Sequence, residues 1–484
     1  MVRVGVLFVW GVLLFGYGLS GPLYRTEALR AKIAQETLAG QWLVPTLYGQ
    51  PFVTKPPGAY VAIALCSIPA GEVTEVSARL PSAIAALLTV LFLFWHLRGL
   101  IGEQRAFWMA IFLPVSFLWL DKAPSAEIDM LQLGWVTWSL IAFHRAFLRE
   151  EQRRPSFGWW VAALFCVAGG LLTKWTAPAF FYLTVIPFLV IQRRWNVLFS
   201  WRHLTAALIA TVLVAGWAFL ATQEIGWQTL RETIGNEAAQ RFAPGRRGKP
   251  YPWLEAITFP LLVLASNTLS ALAVMLTLRR SFRDRLSESE HSLVLLGHCW
   301  IWPNLLFWSL PAQHNVRYLL PMIPAFGLLG GLWWVKWFEN RPTVRWRQAV
   351  FIAPLIAWLA AKGVFTEVIQ PDRVANRNAH ETGRELAGLV PAGEHLTIDK
   401  LKDEGILFYY GRPVTQNRGA QSPWALLMEA EWQAVAAKPD RHLVARLLDQ
   451  QGAAIYLVRD DSPEMAACPF LIPPLAQNST PSPR

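Results

Sequence analysis

Apolar segments of about the length needed to cross a bilayer recur along most of this chain, and they constrain its fold more than any other feature. A transmembrane helix needs about 20 mostly apolar residues. Of the 484 residues, 54% are hydrophobic and only 16% are charged, whereas soluble domains have about 25% charged residues. The pattern predicts an α-helical polytopic membrane protein with about eleven transmembrane helices. The predicted spans lie near residues 3–20, 80–97, 106–120, 128–147, 158–173, 177–192, 204–221, 255–277, 291–309, 318–337 and 348–366.

The arginine residues between these segments predict the orientation of the chain. They concentrate in every second loop, such as the one with Arg149, Arg153 and Arg154, whereas the short loops on the other side hold few cations. By the positive-inside rule, the N-terminus is expected in the cytoplasm, and an odd number of spans places the C-terminus outside the bacterial inner membrane. The net charge of +11 is then explained by loops that face anionic membrane lipids, and no nucleic-acid partner is expected.

The same pattern predicts the domain organisation. Residues 1–366 form the predicted transmembrane domain, with long outer loops at 21–77 and 222–254. The segment 57–71 is too short to span and is expected to be an interfacial or re-entrant helix. Residues 367–472 mix two periodicities, which predicts a small soluble α/β domain outside the membrane. In this domain we expect strands at 394–399 and 453–458, helices at 381–390 and 440–452, and a disordered tail at 473–484.

Carboxylates near the outer membrane face are the first candidates for chemistry, because ionisable groups at membrane depth are costly and often functional. Glu27 follows the first span, and Glu127 and Asp129 lie at the junction of the third and fourth spans. Residues two apart on a helix point to different faces, so at most one of Glu127 and Asp129 is expected to point into a given site. Glu27 and Asp129 are the candidate catalytic residues. The alternative for Asp129 is a residue that only caps a helix at the interface.

Cations on the outer side are the second group of candidates. Such residues commonly only extend their charged ends to the interface, but the positive-inside rule disfavours them in short outer loops, so a group of them suggests a bound anion. Several cations beside a carboxylate suit a phosphate leaving group and a base that deprotonates an incoming hydroxyl. Sugar transfer from a lipid phosphate would have these needs. The candidate phosphate-binding residues are Lys55, Arg79, Lys174, Arg241 and Arg317.

Several motifs, in order along the chain, resemble those of a known family. The segment TEALRAKIAQETLAGQWLVPTLYGQPFVTKPPGAYVAIAL, which begins at Thr26, resembles the first outer loop of the GT-C glycosyltransferases, in the branch of the protein O-mannosyltransferases and the lipid A aminoarabinose transferase. APSAEIDMLQLGW resembles the segment that carries the family's second acid, and LLTKWTAPAFFYL resembles a lysine-containing segment. NEAAQRF and VRYLLPMIPAF are also similar, so the resemblance covers most of the chain.

The resemblance implies a polyprenyl-phosphate sugar donor, an inverting transfer and an active site on the outer face. The acceptor is expected to be a lipid, a glycan or a protein. By the resemblance, Glu27 matches the second member of an acidic pair, Lys55 a lysine near the donor phosphate, and Asp129 a second acid. The remaining matches are Lys174, Arg241 and Arg317, at basic or polar positions near the donor. Three further residues, Thr26, Glu127 and Tyr318, are expected to lie close to the substrate.

Two positions depart from the family pattern. The family's favoured catalytic base is replaced by Thr26, which cannot act as a base at neutral pH, so either Glu27 or Asp129 is expected to take that role. Thr54 stands where the aminoarabinose transferases carry an acid. No metal-ligand set is evident, and a requirement for a divalent cation stays open. The alternatives are a transporter or flippase of lipid-linked sugars, and an inactive protein that keeps the fold, which Thr26 suggests.

Overall fold

The computed structural model divides the chain into two compact units. It describes residues 1–24, 26–242, 251–339, 344–375, 379–401, 403–416 and 422–461. One unit comprises Met1–Leu47 and Pro51–Val374, and the other comprises Tyr48–Gln50 and Ala375–Arg484. The predicted limits at residues 366 and 472 remain predictions, and the predicted tail 473–484 lies outside the described residues.

The first unit is mainly helical. In the part of the chain that the structure describes, four helical segments are long and apolar enough to cross a membrane, or five if a bent pair forms one span. Each of the eleven predicted spans overlaps at least one helix, but their number as membrane crossings stays a prediction. Among the described residues the helices are α1 (Val2–Gly11), α2 (Thr26–Leu38), α3 (Gly58–Ser67), α4 (Glu75–Ile101), α5 (Glu103–Phe112), α6 (Phe117–Lys122), α7 (Ile128–Glu151), α8 (Phe157–Thr173), α9 (Ala177–Ile191), α10 (Trp201–Ile225), α11 (Trp227–Phe242), α12 (Trp253–Ser266), α13 (Thr268–Thr277), α14 (Arg280–Arg283), α15 (Glu288–Trp308), α16 (Ile323–Glu339), α17 (Val344–Val364) and α18 (Gln370–Ala375), with π-helical turns at Val12–Gly16 and Phe365–Ile369 and 3-10 turns at Ile68–Ala70, Trp195–Phe199 and Val316–Met322.

Two predicted spans are interrupted in the structure. The segment 106–120 is divided between α5 and α6, and Pro114 lies in the break, where its ring and missing N–H disfavour a continuous helix. The segment 255–277 is divided between α12 and α13, which are bent by 101° at the break. Neighbouring helices can satisfy the freed backbone groups, so such breaks are tolerated inside a helical bundle.

Local caps set where the helices next to the site begin. Thr74 and Ser77 form a capping box at the start of α4, because each side chain bonds to the backbone N–H of the other residue. The segment 57–71 is helical over Gly58–Ser67, as expected for a short helix. Gly58 is required there, since an added Cβ would lie only 2.7 Å from the carbonyl oxygen of Leu172. The missing side chain therefore lets α3 begin directly against the end of α8.

The second unit contains a five-stranded mixed sheet with the order β4-β3-β5-β7-β6. Strand β3 pairs in parallel with β4 and β5, whereas β7 pairs antiparallel with β5 and β6. Helices α19 (Ala379–Leu389), α20 (Glu404–Tyr410) and α21 (Glu429–Val435) accompany the strands. Over the ranges that the structure describes, the strands are β1 (Thr46–Leu47), β2 (Gln50–Pro51), β3 (Leu396–Ile398), β4 (Val414–Gln416), β5 (Trp424–Met428), β6 (Arg441–Leu448) and β7 (Ala454–Asp460).

This unit confirms the predicted α/β class but corrects one element. The strands expected at 394–399 and 453–458 correspond to β3 and β7, and the helix expected at 381–390 corresponds to α19. The helix predicted at 440–452 is wrong, because these residues form the edge strand β6 and a turn. Pairing with β7 along nearly its whole length, from Arg441 with Asp460 to Leu448 with Ala454, outweighs the local helical pattern.

Candidate active site

Two adjoining cavities in the first unit collect most of the predicted site residues. The larger has a volume of about 490 Å³ and the smaller about 120 Å³. Glu127 and Arg317 line both of them, so these two side chains form the wall between the cavities. The larger is lined by Tyr24, Thr26, Glu27, Leu118, Asp121, Lys122, Pro124, Ser125, Glu127, Asn315, Val316, Arg317, Phe365, Gln370 and Arg373. The smaller is lined by Arg30, Lys55, Glu127, Ile128, Asp129, Lys174, Glu237, Gln313, Arg317 and Tyr318.

Glu27 is held in a buried ion pair with Arg79. The guanidinium donates from Nε and Nη2 to the two carboxylate oxygens at 2.9 and 2.8 Å. The backbone N–H groups of Ala126 and Tyr24 donate to the same oxygens at 2.8 and 2.9 Å. Burial alone would raise the pKa of Glu27, but the charge of Arg79 and these hydrogen bonds outweigh it and lower the pKa. All four lone-pair positions of the carboxylate are therefore engaged.

This arrangement speaks against two roles expected from the sequence. Arg79 is fully buried, and its other N–H groups donate to the carbonyl oxygens of Leu19, Gly21 and Pro22. Its five N–H donors are thus used within the protein, and its side chain lines neither the larger nor the smaller cavity. Arg79 and Glu27 form a buried clamp that fixes the backbone at Ala126, and their expected roles as donor-phosphate ligand and base stay predictions.

Glu127 occupies a different position from the one that the sequence suggested. It is the N-cap residue of α7, with extended backbone angles, so the helix begins only at Ile128. The rule for residues two apart on a helix does not apply to it, and the expectation that only one of Glu127 and Asp129 points into a given site is wrong. Oε1 of Glu127 accepts a hydrogen bond from Thr26 Oγ1 at 2.5 Å and another from Arg317 Nη1 at 3.3 Å.

Asp129 forms a buried ion pair with Lys174 inside the smaller cavity. The Lys174 Nζ to Asp129 Oδ1 distance is 2.6 Å, and both side chains are 3% exposed. Lys174 caps the end of α8 in an extended conformation, which breaks the apolar run and turns the ammonium towards α7. Its Nζ also lies 5.0 Å from the ring centroid of Tyr318, within cation–π range.

Lys55 reaches the smaller cavity from the Pro-Pro turn. Its ammonium pairs with the carboxylate of Glu237, which α11 contributes from far along the chain. Trp175 Nε1 donates to the carbonyl oxygen of Thr54 at 3.2 Å and ties this turn to the residue after Lys174. Together with the close approach at Gly58, this bond brings the Lys55 turn against the end of α8.

Arg30 is a site residue that the sequence reasoning missed. It lies one turn after Thr26 on α2, is 8% exposed, and donates from Nη1 to the Tyr60 hydroxyl at 2.8 Å. Burial alone would lower its pKa, but Tyr60, Glu127 and Asp129 outweigh burial and raise it. Its Nε has no hydrogen-bond partner among the described residues. The i to i+4 spacing from Thr26 was the available signal, because it places both side chains on one face of α2.

The remaining predicted residues are distributed as follows. Glu237 and Gln313 also line the smaller cavity and were not predicted. Arg241 lies in α11, but its side chain is outside the part of the chain that the structure describes. Within that part, no group of three or more His, Cys, Asp or Glu side chains could hold a metal ion. The structure therefore brings together Lys55, Glu127, Asp129, Lys174, Arg317 and Tyr318, with Thr26 and Glu27 in the adjoining cavity.

The fold defines a class of protein. The chain has the GT-C fold, since it superposes on ArnT from Cupriavidus metallidurans bound to undecaprenyl phosphate with a TM-score of 0.69 and 17% identity, covering 97% of this chain and 99% of that one. An oligosaccharyltransferase from Archaeoglobus fulgidus, in complex with Zn and sulfate, matches with a TM-score of 0.53 and 11% identity. That match covers 94% of this chain and 72% of the other.

Sequence comparison gives more particular relatives. A family model described as dolichyl-phosphate-mannose-protein mannosyltransferase matches residues 54–219. One relative is the undecaprenyl phosphate-alpha-4-amino-4-deoxy-L-arabinose arabinosyl transferase of Pseudomonas aeruginosa (strain UCBPP-PA14). It is 29% identical to this chain over 336 residues, which are 66% of this chain and 59% of that protein. The chain thus spans about three fifths of the length of this relative. The resemblance to GT-C glycosyltransferases that use polyprenyl-phosphate sugars, inferred above from the motifs, is confirmed.

Proposed function

We propose that this protein is a membrane glycosyltransferase that moves a sugar from a polyprenyl-phosphate donor to an acceptor outside the cytoplasm. The observation that carries the proposal is the charge arrangement of the smaller cavity. Four cations, Arg30, Lys55, Lys174 and Arg317, converge on about 120 Å³ together with three carboxylates. Such a site suits a phosphate whose negative charge grows as its bond to the sugar breaks.

The cations have distinct chemical tasks in this proposal. Arg317 presents a planar guanidinium that can hold two phosphate oxygens at once, whereas Lys55 and Lys174 each present a compact point charge. Each lysine is paired with a carboxylate, Lys55 with Glu237 and Lys174 with Asp129, so each ammonium is already held in the cavity before the donor arrives. Preoriented cations stabilise the leaving phosphate without reorganising during the reaction. The leaving phosphate needs no proton, so one carboxylate suffices for an inverting displacement.

The proposed donor sugar and acceptor follow from the relatives. The arabinosyl transferase relative uses, by its name, an undecaprenyl-phosphate-linked 4-amino-4-deoxy-L-arabinose, and the family model is described by mannosyl transfer from dolichyl phosphate to protein. We propose a pentosyl- or hexosyltransferase with a lipid, glycan or protein acceptor. The arginine-rich loops support a cytoplasmic N-terminus and a second unit outside the membrane.

Turnover with labelled donors tests the proposal. Purified protein is mixed with undecaprenyl-phosphate-linked 4-amino-4-deoxy-L-arabinose or dolichyl-phosphate mannose, and with lipid A, a peptide or a glycan as acceptor. Transfer of label to one acceptor is expected, and Lys55→Gln is expected to weaken binding of undecaprenyl phosphate about 10- to 100-fold, as for loss of a charged hydrogen bond. Lys438→Gln is the matched control, because Lys438 is an exposed lysine of the second unit. Equal binding by Lys55→Gln and the wild type would remove the support from this cavity.

A further inference from the structure

The identity of the catalytic base is the open question of the proposed reaction. The sequence left Glu27 and Asp129 as rivals, because the family's favoured acid is replaced by Thr26. We propose that Glu127 is the general base, that Thr26 orients it, and that the larger cavity receives the acceptor. This inference rests on the proposed glycosyl transfer and adds to it the residue that removes the acceptor's proton.

Position separates the three acids. A general base in a single displacement must lie within hydrogen-bond reach of the acceptor hydroxyl, at the place where that hydroxyl can also reach the donor's anomeric carbon. Glu27 lines only the larger of the two cavities, and Asp129 only the smaller, whereas Glu127 lines both. An acceptor in the larger cavity and a donor phosphate in the smaller one would meet at the carboxylate of Glu127.

The hydrogen bonds of the three carboxylates also favour Glu127 as the base. The Glu27 carboxylate accepts four hydrogen bonds and has no position left for a proton from substrate. Asp129 holds the ammonium of Lys174 at 2.6 Å and keeps that cation in the phosphate cavity. Glu127 uses only Oε1, for Thr26 and Arg317, and no described residue donates a hydrogen bond to its Oε2. Oε2 is therefore the oxygen that can receive a proton.

Hydrogen bonds hold both the backbone around Glu127 and its carboxylate in place. The Ser82 hydroxyl donates to the backbone carbonyl of Glu127 at 3.1 Å. The preceding N–H, at Ala126, is held by Glu27, whose own position depends on Arg79. The Thr26 hydroxyl then donates to Oε1 at 2.5 Å. Glu27 and Arg79 are thus positioning residues, and the carboxylate of Glu127 stands beside Thr26, where the resemblance leads one to expect an acid.

The proposed step balances as follows. The acceptor oxygen forms a bond to the anomeric carbon while its proton passes to Oε2 of Glu127. The bond from the anomeric carbon to the phosphate oxygen breaks, and its electron pair stays on the polyprenyl phosphate, which the cations of the smaller cavity stabilise. The proton on Glu127 returns to solvent through the larger cavity after the products leave.

Four variants test this assignment. Glu127→Gln keeps the shape and the hydrogen bond from Thr26 but removes the basic oxygen, so turnover is expected to fall about 10²- to 10⁴-fold while binding of undecaprenyl phosphate changes less than about threefold. The double variant Thr26→Asp with Glu127→Gln returns a carboxylate to the same place and is expected to recover at least a tenth of the lost rate. Glu72→Gln is the matched control, since Glu72 is an exposed acid of the same outer loop and lines neither cavity. Glu127→Asp keeps the negative charge, but its shorter side chain moves the carboxylate away from the acceptor. A misplacement of about 1 Å is expected to lower turnover by up to about 10²-fold.

The outcomes separate this inference from the proposed function. If the wild type transfers sugar and Glu127→Gln does so at an equal rate, Glu127 is not the base, although the protein is still a glycosyltransferase. If Glu127→Gln fails to fold, Glu127→Asp decides, and turnover within threefold of the wild type would overturn the assignment. If the wild type transfers no sugar from either donor, both the function and the base assignment fail.

Discussion

Removal of the Arg79 side chain is expected to be among the most damaging single changes in the first unit. Arg79→Met preserves much of the volume and apolar stem but deletes the guanidinium. The change leaves the carboxylate of Glu27, a residue that is 6% exposed, without its cation. It also removes the donors to the carbonyl oxygens of Leu19, Gly21 and Pro22. Breaking a buried pair by removing one partner costs about 3–5 kcal/mol, because the remaining charge stays buried without compensation.

A double-mutant cycle can assign this loss to the pair. In Glu27→Gln with Arg79→Met the remaining side chain is neutral, so the double variant is expected to recover at least about 1 kcal/mol relative to Arg79→Met alone. The free energy of unfolding is measured by titrating SDS into dodecyl maltoside micelles and following the circular dichroism. Arg98→Met serves as the control, because Arg98 is an exposed residue at the other end of α4, and it is expected to stay within about 0.5 kcal/mol of the wild type.

The pH dependence provides a second measure of the same pair. Because the folded-state pKa of Glu27 is lowered, its contribution is fully present above the unfolded-state pKa of about 4.3 and is lost as the pH falls through the folded-state pKa. The stability difference between the wild type and Glu27→Gln should therefore be constant from about pH 6 to 8 and should shrink below about pH 4.3. A loss under 1 kcal/mol for Arg79→Met, or a difference that already changes between pH 6 and 8, would refute the clamp.

Two further predictions concern neighbours of the site. Gly58→Ala places a Cβ 2.7 Å from the carbonyl oxygen of Leu172, so it is expected to lower the free energy of unfolding by about 1–3 kcal/mol and to weaken undecaprenyl phosphate binding by displacing Lys55. Gly216→Ala in α10 is the control and should not destabilise the protein, because nothing lies within 4 Å of the added Cβ. Equal free energies of unfolding and equal binding for the two variants would contradict this prediction. Burial lowers the pKa of Lys32 to about 8, below its unfolded value of about 10.4, so stability should rise between about pH 8 and 10.4 by about 3 kcal/mol. Lys32→Met should abolish that rise in the same SDS titration, and a rise of equal size in both proteins would show that Lys32 is not its source.

The fold class could be predicted from the sequence because the length of the apolar segments, the distribution of arginines and the order of the motifs are all read directly along the chain. It also placed Lys55, Asp129, Lys174 and Arg317 on one side of the membrane. It could not predict that Arg79 pairs with Glu27, 52 residues away, because such pairs are decided by how helices pack. The error at β6 has the same origin, since the pairing partner decides the conformation of an edge strand.

The two departures from the family pattern have a common structural explanation. Thr26 and Thr54 each stand where the resemblance leads one to expect an acid, and Thr26 suggested the alternative of an inactive protein. In the structure each position lies beside a carboxylate from elsewhere in the chain. Glu127 accepts a hydrogen bond from Thr26, and Glu237 pairs with Lys55, the residue next to Thr54. Charge at a site depends on where the carboxylate lies and not on which segment supplies it, so two threonines are compatible with an intact electrostatic arrangement. If Glu127 is the base, as proposed, Thr26 marks a relocation of the acid and not a loss of activity.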